Sequence, residues 1–330
     1  MEVFAATEHM PRIHVEELYP EELEASYTTE TNAETFAPFF DEAARLLEKY
    51  SSQIKVLVGF ETEWLQDGIT LIETLLQQHP YDFVVGSVHH VHGVPIDYNR
   101  RMYEEARSKS EGGTDEALFE AFFDAQYEML NALRPPIVGH FDLIRLLSDR
   151  PNDDLRTMGK GTVWNRIERN LEFAASQGLI LELNSSALRK GLAEPYPKRE
   201  ICQVGTLQIS ILLALIIWPL RTVLFLSEVR IAGLQNASFL PAPDVYQAYL
   251  AKGGKFALSD DSHSIAQVGT NYKLLLDFIV ETGIPALSFL ETTAPGSGQG
   301  PFARFPDTVV RTIELDALKR KQFWTSLDSS

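Results

Sequence analysis

Short apolar runs alternate along this chain with longer segments in which apolar residues recur every three or four positions. The runs Val3-Phe4-Ala5-Ala6, Lys55 to Phe60, Tyr81 to Val88, Ile137-Val138-Gly139, Leu179 to Asn184 and Phe256-Ala257-Leu258 predict buried strands. Between them, residues 33–50 place Phe36, Phe39, Phe40, Ala43, Leu46 and Leu47 at helical spacing, and Gly68 to Gln78 predicts a short amphipathic helix. Glu116 to Leu133 predicts a strong helix with Leu118, Phe122, Ala125, Met129 and Leu133 on one face, stopped by Pro135-Pro136. Val163 to Ser176 predicts another, closed by Gly178, and Tyr246 to Lys252 a last one before the Gly253-Gly254 turn. Strand and helix alternating in this way predict a single α/β barrel over residues 1–330 rather than two domains.

Five of the six strand-like runs share a second property: each leads to a metal-capable side chain, the run ending at Asn184 being the exception. His9 follows the first, Glu61 the second, His89 the third and His140 the fourth, while Asp261 and His263 follow the last. Residues just past the carboxyl ends of parallel strands converge on one face of an α/β barrel. Six such donors in register with the strands therefore predict a metallohydrolase. Imidazole and carboxylate ligands suit Zn, Fe or Mn, and two ions about 4 Å apart activate water and hold the attacking and leaving oxygens of phosphoryl transfer. Arg189, just beyond the run ending at Asn184, is a candidate planar donor to a phosphate.

Taken in order, several stretches resemble the histidinol-phosphatase branch of the polymerase and histidinol phosphatase (PHP) superfamily. They are Thr7 to Arg12, Gly59-Phe60-Glu61, Gly86 to His90, Gly139 to Arg145, Glu182 to Lys190 and Ser259 to His263. The resemblance implies a distorted seven-stranded (β/α) barrel holding up to three divalent ions, and hydrolysis of L-histidinol phosphate to L-histidinol and phosphate in histidine biosynthesis. It also implies a division of ligands. Glu61 would bridge two ions, His89 and His140 would complete the second, Asp261 would serve the first, and His9 with His263 the third, with Glu61, Asp261 and His263 as the catalytic group. The family pattern begins with a His-x-His strand that this sequence does not contain, so the barrel is expected to lack its first strand. On this reading the chain is a truncated product or incomplete gene model, with weakened activity and exposed sheet edges; the alternatives are another PHP-type phosphoesterase or nuclease, or a non-catalytic truncated remnant.

Two further segments depart from the rhythm. Leu207 to Leu226 is nearly all apolar, but Gln208, Ser210, Pro219 and Arg221 interrupt it, and the run Ile211 to Leu220 is shorter than the ~20 residues a membrane span needs. Residues Val204 to Gln235 instead read as an insertion of translated intron sequence, whose removal restores a helix leading to Gly253-Gly254. Thr292 to Gly300 is rich in Gly, Ser and Pro and reads as a loop before a C-terminal tail.

Composition narrows the partners. A formal charge of −17 with no basic run argues against nucleic acid, while a small phosphate ester remains compatible because bound cations set the local field. The single cysteine, Cys202, excludes an internal disulfide and fits a reducing compartment. With no signal-like or transit-like N-terminus, the expected location is the cytoplasm, away from membranes.

Overall fold

In the computed structural model, which describes residues 3–65, 68–79, 81–202 and 249–327, the first three strands are β1 (Val3–His9), β2 (Lys55–Glu63) and β3 (Phe83–Ser87). A small antiparallel ladder of β4 (His90–Val91) with β5 (Val94–Pro95) follows, and then β6 (Ile137–Val138), β7 (Ile180–Asn184) and β8 (Lys255–Ser259). The larger sheet is all parallel in the order β1-β2-β3-β6-β7-β8, so each strand lies beside its predecessor, as successive right-handed crossovers require. Every predicted strand forms. β1 and β2 extend three residues past their apolar runs and β8 one, because polar residues at the carboxyl end still join the ladder, while β3 and β6 stop one residue short.

The crossovers are helical. They include α1 (Thr29–Tyr50), α2 (Gly68–Gln78), α3 (Arg100–Lys109), α4 (Asp115–Leu133), α5 (Thr162–Ser176) and α6 (Tyr272–Thr282). The Thr28 side chain caps α1 by accepting from the Thr31 amide at 3.2 Å, and Thr114 caps α4 by accepting from the Ala117 amide at 3.2 Å. The helix α4 buries one stripe against the sheet. Phe119, Phe122, Phe123 and Leu130 of α4 share one core with Val84 and Val138 of the sheet, all essentially inaccessible. Burying each such aromatic or branched side chain contributes roughly 1.5–3 kcal/mol, so α4 holds the centre of the sheet. The helix α3 is not predicted by the apolar pattern; it buries only Tyr103 and Ala106.

Among the described residues β1 pairs with β2 alone, which leaves its other edge without a strand, and Phe4 on it is 38% exposed. Past the Gly- and Ser-rich loop the tail folds back. β10 (Thr308–Glu314) pairs antiparallel with β9 (Ala286–Thr292), and Trp324 stacks on Tyr272 of α6 with ring centroids 5.7 Å apart. The proposed insertion Val204–Gln235, and the beginning of the helix expected from Tyr246, lie outside the described residues. Among those described, no helix is long and apolar enough to cross a membrane.

Candidate metal centre

The carboxyl ends of the parallel strands supply one cluster of donors around an open cavity of about 660 Å³. His9 closes β1, and the β1–β2 ladder sets it beside Glu61. His89 stands two residues after β3, His140 two residues after β6, and Asp261 two residues after β8. The turn into His140 depends on Gly139, whose amide donates to the Gly86 carbonyl at 2.9 Å. A Cβ at Gly139 would collide with Ser87 Oγ and come within 2.9 Å of Val85 Cγ1.

Glu61 is the meeting point. Its Oε1 lies 3.0 Å from His140 Nε2 and 3.4 Å from His89 Nε2, and its Oε2 lies 3.7 Å from His9 Nε2. The Nε2 atoms of His89 and His140 are themselves 3.1 Å apart. Facing nitrogens beside a carboxylate oxygen suit a shared divalent cation of the Zn, Fe or Mn type. Ligand atoms of Glu61, His89 and His140 all fall within 4.8 Å of one another, as do those of His9, Glu63 and His89.

The electrostatics of these donors follow from this crowding. Burial opposes the charge of His9, but Glu61 and Glu63 outweigh it and raise its pKa to about 10. Burial likewise opposes protonation of His140, and Glu61 outweighs it, raising the pKa to about 9. Glu61 falls to about 2, burial being overcome by His9, His140 and His89. Glu63 sits well below the usual carboxylate range, again against burial, chiefly because of Arg12 and His89. Glu182 is raised by burial; its Oε1 accepts from the His140 amide at 2.6 Å and from Asn184 at 2.8 Å.

Asp261 and His263 form the opposite rim. Asp261 occupies a left-handed turn at φ 49° and lies 3.3 Å from His263 Nε2 and 3.5 Å from Lys190 Nζ. Against the cost of burial, His263 and Lys190 hold its carboxyl well below the usual range. The His263 ring stacks on that of His9 with centroids 5.9 Å apart. Five of the six expected ligands, His9, His89, His140, Asp261 and His263, thus line one cavity, and Glu61 lies against three of them. Arg189 has partners other than a phosphate here: it donates to the carbonyls of Asp260 at 3.0 Å and Asp261 at 2.8 Å, which fixes the turn that presents Asp261.

Behind the cluster, Arg145 donates to Asp142 at 2.9 Å and to the carbonyls of Glu194 and Pro195, with its guanidinium 4.9 Å over the Tyr196 ring. Arg145, Asp142 and Tyr196, all fully buried, fasten the loop that backs His140, whose ring lies 6.3 Å from that of Tyr196. Tyr196 is an anchor of that loop, its backbone bridged to Asn184. Cys202 is buried, and burial pushes its thiol pKa well up, away from nucleophilic use. Glu63, Arg12, Lys190 and Glu182 also belong to the centre and were not singled out from the sequence. Glu63 was within reach: in a strand, residues two apart share a face, so a carboxylate two positions beyond Glu61 points the same way.

Residues 1–186 match the PHP domain family. A protein of Schizosaccharomyces pombe named probable histidinol-phosphatase is 33% identical over 314 residues, covering 95% of this chain and 84% of its own length. The histidinol-phosphatase of Saccharomyces cerevisiae is 29% identical over 309 residues, covering 84% and 78%. Among solved structures, the hisK protein of Listeria monocytogenes, which carries a histidinol phosphatase name, superimposes with a TM-score of 0.58 at 17% identity. That match covers 83% of this chain and 88% of the other, and it shows the same distorted barrel architecture. The strand-end donors and the alignment over nearly the whole chain agree: this protein belongs to the histidinol-phosphatase branch of the PHP superfamily.

Proposed function

We propose that this chain is a metal-dependent phosphomonoesterase that releases inorganic phosphate from L-histidinol phosphate, placing it in histidine biosynthesis. The observation that carries the reading is Glu61 with three imidazole Nε2 atoms within 3.7 Å, the three rings lining a cavity large enough for a small phosphate ester. The choice of substrate is supported by the names of the fungal relatives. Glu61, His89 and His140 would hold one divalent ion, and His9, Asp261 and His263 extend the donor set across the cavity for further ions. Bound divalent ions supply a nucleophilic hydroxide near neutral pH and neutralise charge on the phosphoryl oxygens.

The chain's own residues do the rest. Lys190 lines the cavity beside Asp261, where it adds positive charge for a phosphate dianion. Glu182 fixes the His140 backbone, and Arg189 fixes the Asp261 turn, so both donors keep their direction as substrate enters. The test is release of phosphate from L-histidinol phosphate by the chain loaded in turn with Zn, Mn and Fe, beside a panel of other phosphomonoesters. Preference for histidinol phosphate that disappears in Glu61→Gln supports the reading. A chain that binds metal yet releases no phosphate above the free-metal blank refutes it.

A further inference from the structure

Glu63 lies outside the ligand set used above, yet both of its oxygens are engaged at the centre. It is 0% exposed. Oε1 lies 3.0 Å from His9 Nδ1 and 3.0 Å from Arg12 Nη1, while Oε2 lies 2.9 Å from His89 Nδ1 and 3.6 Å from His90 Nδ1. The two imidazoles it bonds come from different places in the fold, His9 from the end of β1 and His89 from the connection between β3 and β4.

A carboxylate that accepts from Nδ1 fixes a histidine tautomer. The ring hydrogen stays on Nδ1, and the Nε2 lone pair is left to bind a cation. Both Nε2 atoms then aim at Glu61, at 3.7 Å from His9 and 3.4 Å from His89. The ligand atoms of His9, Glu63 and His89 are also close enough to suggest that Glu63 is itself a ligand. Two facts oppose that role. Its contacts run through Nδ1 at hydrogen-bonding distance, where N–H groups cannot face a cation. An ion on Oε1 would also share that oxygen with the Arg12 guanidinium, whose side chain is only 4% exposed, and two cations there repel without solvent to screen them.

We infer that Glu63 is a positioning residue: one buried carboxylate, held in place by Arg12, locks His9 and His89 together with their Nε2 atoms turned to the metal. The inference rests on the metal-dependent reading above. Its consequence is a shared dependence, because loss of Glu63 loosens donors from two strands at once.

The test is titration of the wild-type chain and Glu63→Gln with Co(II), followed by calorimetry and by the visible d–d bands, alongside 15N NMR of the histidines in the Zn-loaded wild type. Glu63→Gln is expected to bind the same number of ions about 10- to 100-fold more weakly, with shifted d–d bands. In the Zn-loaded wild type, His9 and His89 are expected to show protonated Nδ1 and metal-shifted Nε2. Loss of one whole equivalent of Co(II), with the remainder bound as before, would make Glu63 a ligand and overturn the inference. So would unchanged affinity and bands in the variant, or metal-shifted Nδ1 in the wild type. The NMR arm decides the matter if Glu63→Gln does not fold. A wild-type chain that binds no Co(II) removes the parent reading itself, which is a different result from a variant that matches a metal-binding wild type.

Discussion

Charge draws the donors of this centre together. His9, with a pKa of about 10, and His140, at about 9, are imidazolium at neutral pH, and Glu61, at about 2, is carboxylate. A metal needs both rings neutral, so binding expels their protons, whereas Glu61 has none to lose. Near pH 7 metal binding is therefore expected to release about two protons. Affinity rises with pH, and the gain flattens as pH passes through 9 and then 10, where the rings are already neutral. Calorimetry in buffers of different ionisation enthalpy reads the proton count directly; no net release at pH 7 would contradict this account of the rings. Arg189 supports a separate expectation. Because it holds the Asp260 and Asp261 carbonyls, Arg189→Ala is expected to weaken metal binding by tenfold or so, as loss of a supporting contact does. A rise in KM with metal affinity intact would instead assign Arg189 to the phosphate.

Elements act on the site through how closely they pack. β6 contains only Ile137 and Val138, so the path from sheet to ligand is two residues long, and Gly139 carries it past Ser87 and Val85 of the neighbouring strand. Gly139→Ala is expected to force β3 and β6 apart, at a cost of about 1–3 kcal/mol, and to swing His140 away from Glu61. The check is a lower denaturation midpoint together with weaker metal binding. A variant that loses stability but keeps wild-type metal affinity would show that His140 is placed by some other contact. The reverse side of the ring has comparable leverage. Arg145 and Asp142 are both fully buried, so Arg145→Met leaves an unpaired carboxylate beneath the Tyr196 loop and is expected to cost about 3–5 kcal/mol in a denaturant titration.

Over the whole molecule, the parts legible in the sequence are those whose physics is local. Apolar runs give the strands, and the donors that follow five of the six runs give the cavity, because parallel strands present their carboxyl ends to the same face. The parts that were hidden depend on distant partners. The helix α3 shows a thin apolar stripe because only Tyr103 and Ala106 reach the core, and β10 reads as tail because its partner β9 is supplied by the fold. Glu63 was concealed by emphasis on the last residue of each run, although strand alternation places it beside Glu61. Convergence of separate elements also has a thermodynamic consequence. The six expected ligands are attached to β1, β2 and the segments that follow β3, β6 and β8, so an ion bound by them ties together elements that span most of the sheet. The unfolded chain offers no such assembled site. Binding to the folded state alone stabilises it by about 2.7 kcal/mol when free metal is a hundredfold above Kd. For a chain of this size, chelation of the metal-loaded protein is expected to lower Tm by roughly 5 °C, and re-addition of metal to restore it. Glu61→Gln removes the donor on which His9, His89 and His140 converge, so its Tm is expected to respond little to either treatment. A variant that kept the full shift would place the stabilising ion outside this centre.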